Sequence, residues 1–293
     1  MSNTSFLDLK KSRHDQIAKL SQQLSTVTSN TSRGPGKDDR MWEPTVDKAG
    51  NGHAVIRFLP APKGEEVPFV RVFTHGFKGP TGSWYIENSL TTLGQADPVS
   101  EMNTKLWNSG LESDKKIVRE RKRKLNFYSN ILVIKDPENP STEGKVFLYR
   151  YGKKIFDKLN DLMNPSFGDE KPINPFDLWE GANFKLRIRN VEGYRNFDKS
   201  DFEPPSAISD DDKLLQRIWD SQYSLQEFLN PSNFKSYQEL QTRLNRVLGI
   251  NSIDNGPDTV DPSAAKQKSA PQFNELAVDE DEDFEQLLQK LKE

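Results

Sequence analysis

Between Lys115 and Lys158 the chain sets 13 Lys/Arg against 5 Asp/Glu, in a protein whose net charge is −3. Lys115-Lys-Ile-Val-Arg-Glu-Arg-Lys-Arg-Lys124 runs directly into Leu125-Asn-Phe-Tyr-Ser-Asn-Ile-Leu-Val-Ile134. After a turn follows Lys145-Val-Phe-Leu-Tyr-Arg-Tyr-Gly-Lys-Lys-Ile-Phe156. Cations attract a phosphate backbone, and aromatic faces among them offer unstacked bases a stacking surface worth about 1–3 kcal/mol per base. Bases in a duplex are already stacked, so the pattern predicts a single-stranded nucleic acid. The phosphate-facing candidates are Arg57, Arg121, Lys122, Arg123, Lys124, Arg150, Lys153 and Lys154; the stacking candidates begin with Phe127, Tyr128 and Tyr149. Alternation along a strand must send about half of these aromatics into a core.

Other chemistry is weakly represented. Asp136, Glu143 and Lys145 faintly imitate the carboxylate–lysine set of a metal-dependent nuclease, but Pro137 and Pro140 place them on a hairpin loop. Gly34-Pro-Gly-Lys37 lacks the Ser/Thr and the preceding strand of a phosphate-binding loop. With His14, His53 and His75 and no cysteine, neither a disulfide nor a thiolate metal site is available. No catalytic residue and no metal ligand is assigned.

The elements that must position the cations and rings are mostly strands. Segments 53–59, 69–77, 83–87, 127–135, 146–151 and 184–189 are short, aromatic or β-branched, and bounded by Gly, Pro and Asn. Leu186 and Ile188 alternate with Arg187 and Arg189, predicting one buried and one basic face. Helices are predicted over 153–163, 210–229 and 234–248. Trp84, Trp107, Trp179 and Trp219 are assigned to the core. The expected fold is α+β and mainly β: an OB-type, five-stranded Greek-key barrel with helical additions.

Flanking this core, expected over 41–250, are two charged segments. Residues 1–40 carry 7 basic and 4 acidic side chains, with an amphipathic stretch (Ile17, Leu20, Leu24, Val27) before a Gly/Pro linker. Residues 251–293 carry 4 basic and 11 acidic side chains and close on Phe284, Leu287, Leu288 and Leu291 at helical spacing. The first is read as an arm for self-association through Lys10, Lys11 and Arg13, the second as a disordered partner-binding tail. No apolar run approaches the ~20 residues of a membrane span, and the start lacks a signal peptide's pattern, so an intracellular protein without a membrane partner is expected.

Asp47-Lys-Ala-Gly-Asn-Gly-His-Ala-Val-Ile-Arg-Phe-Leu-Pro60, His75-Gly-Phe-Lys78, Trp84-Tyr-Ile-Glu87, Asn130-Ile-Leu-Val-Ile-Lys-Asp-Pro137, Tyr149-Arg-Tyr-Gly-Lys-Lys-Ile155 and Trp179-Glu-Gly-Ala-Asn-Phe184 carry a resemblance. In order and spacing they resemble the single-stranded DNA-binding, helix-destabilising proteins of T-even-type bacteriophages. That resemblance implies cooperative, sequence-independent coating of single-stranded DNA in replication, recombination and repair, in the cytoplasm of an infected bacterium. It implies as partners a second copy of the chain and phage replication and recombination proteins, the latter through the acidic tail. It adds Tyr194 and Phe197 to the DNA-lining residues and matches Lys122, Arg123 and Lys124 to a basic cluster. It also implies a zinc position at His75, where Ser89, Asp97 and Ser100 stand near the thiolate positions; loss of the metal and no cofactor is expected. A single-stranded RNA-binding translational regulator would use the same cations and rings.

Overall fold

The computed structural model describes residues 38–250. The arm cations Lys10, Lys11 and Arg13 and the tail stripe Phe284, Leu287, Leu288 and Leu291 lie outside the described residues. The chain divides into two units after Met41, and the second, larger unit holds the sheet, the helices and both cores.

Strand β5 (Lys124–Lys135) is the element on which the others assemble. Its first residues pair with β3 (Val70–Lys78), Phe127 to Leu132 pair with β6 (Val146–Tyr151), and its end pairs with β2 (Gly52–Phe58), each time antiparallel. From β2 the sheet continues to β7 (Phe184–Val191), which also pairs β8 (Tyr194–Asn196) and β9 (Asp201–Phe202). With β1 (Met41–Trp42) beside β6 and β4 (Trp84–Asn88) beside β3, nine strands form one sheet. The structure is therefore mixed α+β and mainly strand. β6, and helix α3 (Lys153–Met163) after Gly152, begin and end where the sequence places them.

Period-two alternation explains the main core. Ile56 and Phe58 from β2, Phe127, Ile131 and Val133 from β5, and Phe184, Leu186 and Ile188 from β7 converge with Tyr149, Tyr151 and Phe156. The rings interlock, with Phe127 stacked on Phe156 at 4.0 Å and Phe69 edge-on to both. Arg57 also enters, fully buried, contrary to its assignment as a phosphate contact. Its guanidinium donates to the Asp177 carbonyl at 2.9 Å and the Ser206 carbonyl at 2.7 Å, so it ties two connections to the sheet.

Two helices were hidden among charges. α1 (Pro98–Asn108) starts at Asp97, whose carboxylate accepts from Val99 and Ser100, with Pro98 in the first turn. α2 (Glu112–Arg121) carries the first part of the basic run, acidic at its start and basic at its end as the helix dipole favours. Conversely, the helix expected over 210–229 is only α4 (Asp212–Asp220). Beyond it the chain is gripped in an irregular strap: Asn130 makes two bonds with the Tyr223 backbone, and Glu65 accepts from Ser224 Oγ and the Leu225 amide. Those side-chain partners satisfy the backbone outside a helix.

α5 (Tyr237–Leu248) opens with a Ser236/Glu239 capping box and ends at Gly249 with φ +69°. Its Leu240, Leu244 and Val247 cover Phe77, Tyr85, Leu90 and Val99, forming a second, smaller core. Its last turn is held by the β3–β4 turn: Thr81 Oγ1 donates to the Val247 carbonyl at 2.8 Å, and a Cβ on Gly79 would lie 2.2 Å from that oxygen. Leu244 is fully buried in this small cluster. Leu244→Ala is expected to cost about 2–5 kcal/mol in urea-induced unfolding, the range for a truncated core leucine.

Candidate nucleic-acid interface

The two faces of β5 have different fates. Phe127, Ser129 and Ile131 point into the core, whereas Lys124, Asn126 and Tyr128 leave the sheet on the other side. Arg150 of β6 lies directly across from Tyr128 and is exposed. Burial pushes the Tyr128 hydroxyl above its usual range while Arg150 pulls it down, and burial wins. The buried part of Tyr128 is explained by Phe228 of the strap, stacked on it at 4.1 Å.

This alternation corrects two expected stacking residues. Phe127 is 1% exposed and Tyr149 3%, so neither presents a face to a base in this conformation. Tyr149 packs between Trp42, edge-on at 5.3 Å, and Tyr151 at 5.6 Å. Burial and then Tyr151 hold its hydroxyl well above the ordinary tyrosine range, with Arg195 acting in the opposite sense.

The basic run also divides. Lys122 and Lys124 are exposed. Arg121 and Arg123 are half-buried; Arg123 lies 3.9 Å over the Phe73 ring and bonds Thr91, and Arg121 lies 5.5 Å over Phe77. Cation–π contact at such sites contributes about 0.5–2 kcal/mol, so Arg121 braces Phe77 of the second core and Arg123 braces buried Phe73, while both add charge. On α2, Lys115 and Arg119 both approach Trp107. On α3, Lys153 pairs with Asp157 at 2.8 Å and Lys154 is exposed.

The β7–β8 hairpin supplies the other rings. Glu192 and Gly193 both have positive φ, the twist of a two-residue hairpin turn. Tyr194, just past it, is 78% exposed. Phe197 is half-buried against the main core. The predicted basic face of β7 is present, but Arg189 pairs with Asp198, and Arg187 and Lys185 lie near Asp201. Exposed Arg195 was not singled out in the sequence.

Two tryptophans expected in the core lie outside it. Trp84 is 57% and Trp179 55% exposed. On β4 it is Tyr85 that is buried, so Trp84 and Ile86 face outward by alternation, with exposed Lys78 across from Trp84. The period-two signal was present in Trp84-Tyr-Ile, but residue size suggested the wrong face. Trp219 is half-buried, its Nε1 donating to the Ala61 carbonyl at 3.0 Å.

Among the described residues no group of three His, Asp or Glu is placed to hold a metal ion. His75 is buried with Nε2 3.3 Å from Asp97 and Nδ1 3.2 Å from the Arg121 carbonyl. Asp97 also caps α1 and accepts from the Leu90 amide. Burial works to raise its pKa, but His75 and the Ser100 and Leu90 amides more than offset this and leave it lowered. Ser89 is a 3₁₀-turn cap, and a neutral hydroxyl is a poor zinc ligand. These residues do not fit the zinc ion. Asp136 accepts from Trp42 Nε1 and Thr142, and Glu143 accepts from the Asp136 amide, so the nuclease-like pair braces a hairpin.

Residues 50–248 match the family described as gp32 DNA binding protein like. The chain belongs to this family. It is 39% identical over 260 residues to a protein of Enterobacteria phage T2 named single-stranded DNA-binding protein, covering 87% of this chain and 85% of that one. The protein of the same name from Enterobacteria phage T4 is 39% identical over 244 residues, covering 81% and 79%. Within the family frame, burial separates framework rings from surface rings. Phe127→Ala is expected to lower unfolding stability by about 3–5 kcal/mol; Tyr194→Ala leaves the urea midpoint essentially unchanged.

Proposed function

We propose that this chain binds single-stranded DNA without sequence preference and without catalysis, on a surface formed by Lys122, Lys124, Arg150, Lys154 and Arg195 with Tyr194, Phe197 and Tyr128. The single observation that carries this reading is membership of a DNA-binding family over residues 50–248, with relatives named for single-stranded DNA binding. The exposed cations and Tyr194 supply the phosphate and base chemistry that such binding needs. Arg121, Arg123 and Lys153 add positive charge while serving the fold; Arg57, Phe127 and Tyr149 act from within the core as its framework.

The finer architecture we read as an OB-type Greek-key barrel, because β5 pairs in turn with β3, β6 and β2 around one aromatic core. The basic arm, by its charge and apolar stripe, engages a second copy of the chain and makes coating cooperative. The acidic tail competes with phosphate for the same cations and recruits phage replication, recombination and repair proteins when DNA displaces it. The site of action is the infected host's cytoplasm; among the described residues no helix is long and apolar enough to cross a membrane.

Titration of a labelled oligomer, single-stranded and then duplexed, tests the central reading. Single-strand affinity is expected to exceed duplex affinity and to fall linearly as log K against log[salt]. Tyr194→Ala should cost about 1–3 kcal/mol of binding. Removing 251–293 should tighten binding at low salt only, since the competition is screened over about 10 Å at 0.1 M. Equal binding of the two forms rejects the proposal, and preference for a matched RNA strand favours the regulator instead. The lobe around His75 is proposed to stand without zinc: a chelator should leave the melting temperature unchanged, and a drop would reveal a bound metal.

A further inference from the structure

Two indoles divide three neighbouring surface grooves. Trp179 lies between grooves of about 560 and 490 Å³, and Trp219 between the latter and one of about 460 Å³. The middle groove is floored by Pro60, Leu178 and Leu215, an apolar strip continuous with a buried leucine cluster. The rims carry Asp177, Glu180, Asp212, Asp220 and Glu65 against Lys171 and Lys63. Asp177 is partly balanced by buried Arg57, but Glu180 and Asp212 have no ion-pair partner among the described residues. Asp210 and Asp211 precede Asp212 at the start of α4. The apolar surface offered here is that of the Trp179 and Trp219 rings over a buried leucine base; ringed by carboxylates, it is a poor seat for phosphate and a good one for a basic amphipathic segment.

We propose that the groove between Trp179 and Trp219 receives the N-terminal arm of a neighbouring copy. This rests on the reading that the arm makes coating cooperative, and adds the surface it meets. Ile17, Leu20, Leu24 and Val27 recur at helical spacing in the sequence, a stripe that on a helix would span about 15 Å at 1.5 Å per residue. Lys10, Lys11 and Arg13 lie toward the start of the same segment and complement Glu180 and Asp212. Charge decides against this chain's other apolar stripe: Phe284, Leu287, Leu288 and Leu291 follow Asp279-Glu-Asp-Glu-Asp283, which the rim carboxylates repel.

A charge swap in the full chain tests the docking. The readout is the ratio of affinity for a long DNA strand to that for an oligomer holding one copy. Glu180→Lys with Asp212→Lys should lower the ratio about tenfold, equivalent to about 1.4 kcal/mol of lost contact. Lys10→Glu with Lys11→Glu should do the same, and the four substitutions together should recover most of the loss. Trp179→Ala should also lower the ratio; because the ring is 55% exposed, the melting temperature should hold. If the arm reversal lowers the ratio and the groove reversal does not, docking at this groove is overturned while arm-driven cooperation stands. If the arm reversal has no effect, both fall. Equal losses on short and long DNA after groove reversal would make the groove a DNA contact and overturn the inference.

Discussion

Because neighbouring side chains on β5 leave the sheet on opposite sides, one twelve-residue strand must serve two masters. Its inward set, Phe127, Ser129, Ile131 and Val133, fixes the aromatic core, and its outward set begins with Lys124, Asn126 and Tyr128. Pairing with β3, β6 and β2 in succession locks that choice, since a one-residue slip would exchange the two sets. The positions of Arg150 opposite Tyr128 and of Thr74 opposite Lys124 follow from this register.

The positive charge is organised by the same economy of side chains. A contiguous run in sequence becomes two populations in space: cations in water at Lys122 and Lys124, and guanidinium groups laid on Phe77 and Phe73. Arginine suits the second task, its planar charge stacking on rings at less desolvation cost than an ammonium. The second core, which holds Phe77, is small, and α5, the His75–Asp97 contact and Arg121 share its stabilisation.

Strand positions were legible because hydrophobic alternation is strong in 53–59, 146–151 and 184–189, and α3 because its apolar face follows Gly152 directly. α1 and α2 were not, since their buried residues are few and their charges mask the period; the Asp97-Pro98 start was the one local clue. Tertiary partners shortened α4: Glu65 and Asn130, remote in sequence, satisfy the strap's backbone. At the site, residue types pointed to nucleic acid correctly as a class, and family membership agrees. Which rings faced out was not legible, because Trp84 and Tyr85, or Phe127 and Tyr128, are nearly equivalent until strand pairing assigns their sides.

The strap carries a consequence for the order of assembly. Its bonds join Glu65 to Leu225, 160 residues apart, and Asn130 to Tyr223, 93 apart. Closing such spans costs more chain entropy than pairing β5 with β6, whose residues lie close in sequence. On a nascent chain the sheet can therefore form while Tyr128 still lacks its Phe228 cover, because synthesis has not reached residue 228. Until then the outward side of β5 is a bare, basic, aromatic surface, and it is the later-made segment around Phe228 that covers its Tyr128 ring.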